Sequence, residues 1–134
     1  ELTPHKDTAK YVLSEYEVYL TSRIHRNQIE PNYNKATIEH ICPQDLGQST
    51  WNDIFTEMEH DRTNNLIGNW ILLTKSRNSS LGNRPWADKK RYYSEVENIF
   101  HGPKEVSGND NWTPDEIDSR TLNIGKFITE EWKL

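Results

Sequence analysis

In the stretch IEHICPQ, Ile38 to Gln44, an acid and a histidine stand side by side, and a proline three residues on stops any strand they belong to. A neutral imidazole, whose unperturbed pKa is near ~6.5, can take a proton from water at neutral pH, so His40 is a candidate general base. Glu39 beside it offers carboxylate oxygens, the donors preferred by hard divalent cations such as Mg²⁺ and Mn²⁺ and less suited to zinc. Two asparagines follow in order, Asn69 after Gly68 and Asn78 in a polar run. Each residue also has a plainer reading. A histidine after an acid is usually a surface or capped group, Asn69 after glycine can be a turn or bulge residue, and Asn78 among serines can be a helix N-cap. Asn83, before Arg84 and Pro85, reads as a turn former close enough to substitute as a ligand. His5, His25, His60 and His101 have no partners at informative spacing.

Those residues need elements to position them. Thr3-Pro4 reads as an N-cap followed by proline, and Ala9, Val12, Leu13, Tyr16, Leu20 and Ile24 continue at helical spacing for about five turns. A polar connection through Pro31 and Asn34 leads to a strand over Ala36 to Ile41. Trp51, Ile54, Phe55 and Met58 form a second helical stripe at i, i+3, i+4, i+7. After Asn64-Asn65, the run LIGNWILL, Leu66 to Leu73, is the most strand-like in the chain and places Asn69 in a second strand. SRNSSLGNRP is a loop or a short helix start. Pro85 opens a helix carrying Trp86, Tyr93, Val96 and Phe100, and His101 to Trp112 reads as a surface loop. Thr113 to Glu116 is a capping box opening a last helix with Ile117, Ile124, Ile128 and Trp132 on one side. Adjacent strand side chains point to opposite faces, so for Glu39 and His40 to reach one substrate group the chain must leave regular geometry there, with Pro43 favouring the departure.

Composition narrows the classes. The 134 residues read as one domain, large enough to bury roughly two thirds of its unfolded surface. No apolar run approaches the ~20 residues of a membrane span, and no signal peptide precedes the first helix, so a soluble, cytoplasmic protein is expected. The single cysteine, Cys42, cannot form an internal disulfide. Glu1 in place of Met suggests part of a longer protein. The net charge is −5, yet Lys75, Arg77, Arg84, Lys89, Lys90 and Arg91 face one acid, Asp88, a local balance of +5 that leaves −10 elsewhere. Such a zone can meet phosphates or be a solvated face.

Three separated blocks, TIEHICPQ, LIGNWILLTKSRNSSLGNRPWADKKRYY and WTPDEIDSR, resemble the HNH, or ββα-metal, nucleases, and more narrowly the C-terminal domain of GmrSD-type modification-dependent restriction endonucleases. The resemblance spans about Thr37 to Trp132. It implies an α+β, mainly helical fold in which a hairpin-helix core is surrounded by additional helices, forming a single HNH nuclease domain over residues 1–134. It also implies that His40 is the general base of phosphodiester hydrolysis, that Asn69 holds the inter-strand loop and orients the base, and that Glu39 and Asn78 bind Mg²⁺ or Mn²⁺. Trp70 stands where leucine is more usual, and Cys42 where an aliphatic residue is common. Lys89 recurs at its place in that family, so it is expected at a phosphate, with a snorkelling helix lysine as the alternative. Lys75, Arg77, Arg84 and Lys90 join it as the expected DNA contacts.

The resemblance further implies an N-terminal sensor or nucleotidase part that recognises modified DNA, and a DNA-nicking effector role in restriction or antiphage defence. One metal site processes one strand at a time, which admits a homodimer for a double-strand break. Two other readings stay open at this stage: a degenerate nuclease fold that binds DNA without cutting, and a noncatalytic protein-interaction domain using the acidic surface. RNA is an open alternative as substrate.

Overall fold

The computed structural model of the chain describes residues 6–20, 36–74, 81–95 and 100–131. The first helix, α1 (Lys6–Leu20), buries Ala9, Val12, Leu13 and Tyr16, the stripe expected from their spacing. Strand β1 (Ala36–His40) pairs antiparallel with β2 (Trp70–Thr74), with His40 opposite Trp70, Glu39 opposite Ile71 and Ala36 opposite Thr74. Between them lie a 3₁₀ turn (Thr50–Asp53), helix α2 (Glu57–Thr63) and a second 3₁₀ turn (Ile67–Asn69). Helices α3 (Trp86–Glu95), α4 (Gly102–Ser107) and α5 (Pro114–Lys126) follow, and α5 runs on into a π-helical turn (Phe127–Glu131). The result is a mainly helical α+β fold around a two-stranded antiparallel sheet. No helix among the described residues is long and apolar enough to cross a membrane.

Both faces of this small sheet are covered. Because side chains alternate along a strand, WILLT sends Trp70 and Leu72 to one side and Ile71 and Leu73 to the other. Trp70 and Leu72 pack with α1, Ala36, Ile124 and Phe127. Ile71 and Leu73 pack with Ile41, Trp51, Trp86, Tyr93, Val106 and Trp112. Helix α5 serves both clusters, Ile117 in one and Ile124 in the other.

Four sequence expectations change. The stripe from Trp51 to Met58 is not one helix: the capping box of Thr56 and Glu59 starts α2 afresh, and Met58 is 81% exposed. Asn69 precedes β2, in a 3₁₀ turn, rather than lying in the strand. The stretch from His101 to Trp112 is no surface loop. Pro103 sits in the first turn of α4, Glu17 accepts hydrogen bonds from the His101 and Gly102 backbone N–H groups, and Val106 and Trp112 are buried. Strand β1 stays in register through His40, so Glu39 and His40 leave opposite faces of the sheet; the irregular backbone begins only at Ile41. The capping box at Thr113 and the burial of Ile117 and Ile124 are as expected. The expected N-cap at Thr3-Pro4, Ile24, the connection through Pro31 and Asn34, Val96 and Trp132 lie outside the described residues.

Candidate active site at the end of the first strand

His40 closes β1, half-buried, with its ring 5.3 Å from that of Trp70 directly across the sheet, and its Nε2 is shielded from solvent. The backbone that leaves it is held at every carbonyl. Lys89 Nζ donates to His40 O at 3.1 Å and to Ile41 O at 2.8 Å. Asn69 Nδ2 donates to Cys42 O at 2.9 Å, and His60 Nε2, necessarily the protonated ring nitrogen against a carbonyl, donates to Pro43 O at 2.8 Å. The amides are held as well. Ile41 N donates to Asn69 O at 2.9 Å, and Cys42 N donates to Asn69 Oδ1 at 2.9 Å.

Asn69 is therefore the pin between the strand exit and the rest of the molecule. It is fully buried, and its Oδ1 accepts a second hydrogen bond from Trp112 Nε1 at 3.1 Å while Nδ2 also donates to Asn64 O at 3.2 Å. Two N–H groups facing Oδ1 and two carbonyls facing Nδ2 fix the amide orientation, since the flipped form would oppose like with like. The carbonyls on either side of Asn69 are held in turn. Arg120 Nη1 donates to Gly68 O at 3.1 Å and Trp70 O at 2.6 Å, while its Nε is 2.9 Å from Glu105 Oε1. Gly68 is needed where it stands, because a Cβ there would meet Ile117 O and Thr121 Oγ1 of α5 at 2.3 Å.

On the opposite face, Glu39 is buried and its Oε2 accepts from Tyr93 OH at 2.6 Å and pairs with Lys89 Nζ at 3.1 Å. Burial raises the Glu39 carboxyl above its ordinary range and lowers the Lys89 ammonium, while the two opposite charges act against both changes and the Tyr93 hydrogen bond acts against the first. Burial also pushes Tyr93 well above its usual range, so it remains a donor. Both donors fall on Oε2, so Oε1 keeps its lone pairs free of any donor among the described residues. Among the described residues no three His, Cys, Asp or Glu side chains converge on one point. Cys42 is buried and its thiol is pushed up to about 12, so it offers no thiolate.

A family model described as GmrSD restriction endonucleases, C-terminal domain, matches residues 2–127 of the chain. The chain belongs to this family. No curated protein and no solved structure matches it. The match takes in the TIEHICPQ and LIGNWILL blocks and with them His40, Glu39 and Asn69.

In this GmrSD C-terminal domain, Glu39 and His40 lie on opposite faces of one strand exit that Asn69 pins, whereas Asn78, Lys75 and Arg77 lie outside the described residues. Lys89 departs from expectation: it is not on the surface but has no exposure at all, and its ammonium is spent on Glu39 and two carbonyls. The reason lies in the helix. Trp86, Lys89 and Tyr93 are spaced i, i+3, i+7 on α3 and share its buried face. That spacing was the available signal. Arg84 and Arg91 are exposed and stand 3.9 and 4.0 Å from Asp88, and the half-buried Lys90 stands 3.7 Å from Asp110. Long surface pairs of this kind are worth little and leave the cations available to phosphates. Tyr93, Trp112, His60 and Arg120 have no motif of their own, and their roles come only from the fold.

Proposed function

We propose that this domain is a divalent-metal-dependent DNA endonuclease of the HNH, or ββα-metal, class, nicking one strand at a time as the effector of a restriction or antiphage system. The observation that carries the reading is the strand exit: a histidine at the end of a strand, its backbone immobilised from His40 to Pro43, within a chain of the restriction endonuclease family. Chemistry that depends on placing one imidazole gains from such rigidity, because effective molarity falls steeply with misplacement.

In this reading His40 in its neutral form accepts the proton of the water that attacks phosphorus. Asn69 keeps the loop, and hence the imidazole, in place. Glu39, through Oε1, and Asn78 would hold the Mg²⁺ or Mn²⁺, which when bound neutralises charge on the phosphoryl oxygens and the departing oxyanion. Because Glu39 and His40 leave opposite faces of the sheet, they would meet the substrate from two sides of the strand end. Arg84, Arg91 and Lys90, with Lys75 and Arg77, supply backbone contacts to DNA and no base readout, so sequence or modification choice is assigned to another part of a longer cytoplasmic protein. Two protomers would be needed for a concerted double-strand break.

The test is a time course on supercoiled plasmid with Mg²⁺ or Mn²⁺, beside a His40→Ala control. Open circles nicked at scattered positions should precede linear product, chelation should abolish cutting, and His40→Ala should lose on the order of 10²–10⁴ in rate. Activity should rise from pH 5.5 to 8, since only neutral imidazole accepts a proton. Undiminished metal-dependent cutting by a folded His40→Ala protein would remove His40 as the base.

A further inference from the structure

The ammonium of Lys89 has three donors, and all three are used: on Glu39 Oε2 at 3.1 Å, His40 O at 3.1 Å and Ile41 O at 2.8 Å. Two of its three partners are consecutive carbonyls, that of the candidate base and that of the residue after it. Its charge is balanced by Glu39 and rests 5.8 Å from the centroid of the Trp51 ring. A buried ion pair is a weak source of stability, since two charges must be stripped of water to form it and an apolar pair of similar volume often serves as well. A tether to the backbone of one residue is what such an apolar pair could not supply.

We infer that Lys89 is a positioning residue for His40, its buried ammonium held by Glu39 so that it grips the His40 and Ile41 carbonyls and fixes where the imidazole points. Arginine would not replace it, because a planar guanidinium cannot direct three donors from one atom to a carboxylate and two consecutive carbonyls in a site without exposure. Tyr93 belongs to the same device: its hydroxyl, 2.6 Å from Oε2, fixes the carboxylate that aims the ammonium. The role rests on His40 acting as the base, and the test separates the two ideas.

Lys89→Met should fold, keep its KM for plasmid within about twofold, and lose roughly 10–100-fold in kcat at saturating metal, the scale expected when a catalytic group is misplaced by about 1 Å. Amide hydrogen exchange supplies a readout independent of cutting. The Ile41 and Cys42 amides should exchange at least about tenfold faster while those of β2 stay protected, a local rather than global opening. If Lys89→Met does not fold, the double variant Glu39→Gln with Lys89→Met removes both charges, and the same exchange measurement decides. An unchanged kcat, a loss fully restored by more Mg²⁺, or unaltered Ile41 and Cys42 protection overturns the role of Lys89. Full activity in His40→Ala would instead overturn the reading on which it rests.

Discussion

Asn69 is the residue on which the site geometry depends most directly. Replacing it with alanine leaves the Cys42 N–H and the Trp112 Nε1–H buried without an acceptor, and the Cys42 carbonyl without its donor. At about 1–3 kcal/mol for each of these three orphaned groups, Asn69→Ala should lose about 3 kcal/mol or more, with cutting reduced even in the fraction that remains folded. Urea unfolding measures the first, and a melt within about 1 kcal/mol of the parent would show that water replaces the amide. The candidate site residues stood out because their types are unusual for their places: an acid and a histidine at a strand end, and an asparagine before a fully apolar run. Lys89 was misread because six basic residues close together in sequence suggest a basic surface, although its own spacing with Trp86 and Tyr93 placed it inside. Arg120 and Trp112 gave no local signal, since their partners are 50 and 43 residues away.

Among the elements, α5 meets the 3₁₀ turn Ile67–Asn69 at Gly68, the glycine with the least room for a side chain. A Cβ on Gly68 would stand 2.3 Å from Thr121 Oγ1 and 2.6 Å from Thr121 N, and the same hydroxyl accepts the Gly68 N–H at 3.0 Å. Gly68→Ala must therefore push α5 away from the turn that carries Asn69. The expected loss is about 3 kcal/mol or more, at the upper end of overpacking costs, read as a lowered melting temperature. An unchanged melt would mean that α5 can shift freely and does not brace the site. Elements with strong local signals were legible: the helical stripe of α1, the capping box of α5, and the apolar run of β2. Helix α4 was not. Its sequence GPKEVS has loop composition, and it is helical because Glu17 of α1 meets its first amides and Val106 reaches the core. The stripe from Trp51 to Met58 failed for the opposite reason, a local capping signal overriding periodicity.

At the scale of the whole molecule, stability should depend on pH through Glu17. Burial raises its carboxyl from the ordinary 4.5 to about 7, against the opposing pull of the His101 and Gly102 N–H groups and of Arg120. Between those two pH values the folded protein keeps a proton that the unfolded chain has released, so Glu17 makes stability fall as pH rises from about 4.5 to 7, by on the order of 3 kcal/mol in all. Glu17→Gln removes that proton exchange. Whatever its constant offset, its melting temperature should gain on the parent between pH 5 and pH 8, and parallel curves would show that Glu17 titrates normally. A different consequence follows from how the strand exit is assembled. Its parts are drawn from β1, the turn before β2, α3 and α5, so His40 is made eighty residues before the Arg120 that braces the Asn69 turn. A growing chain that has not passed Arg120 carries every residue of the proposed chemistry but lacks the brace on the Gly68 and Trp70 carbonyls that flank Asn69. In the proposed reading, the order of synthesis thus leaves the site unbraced until the polypeptide is nearly through the family's matched span.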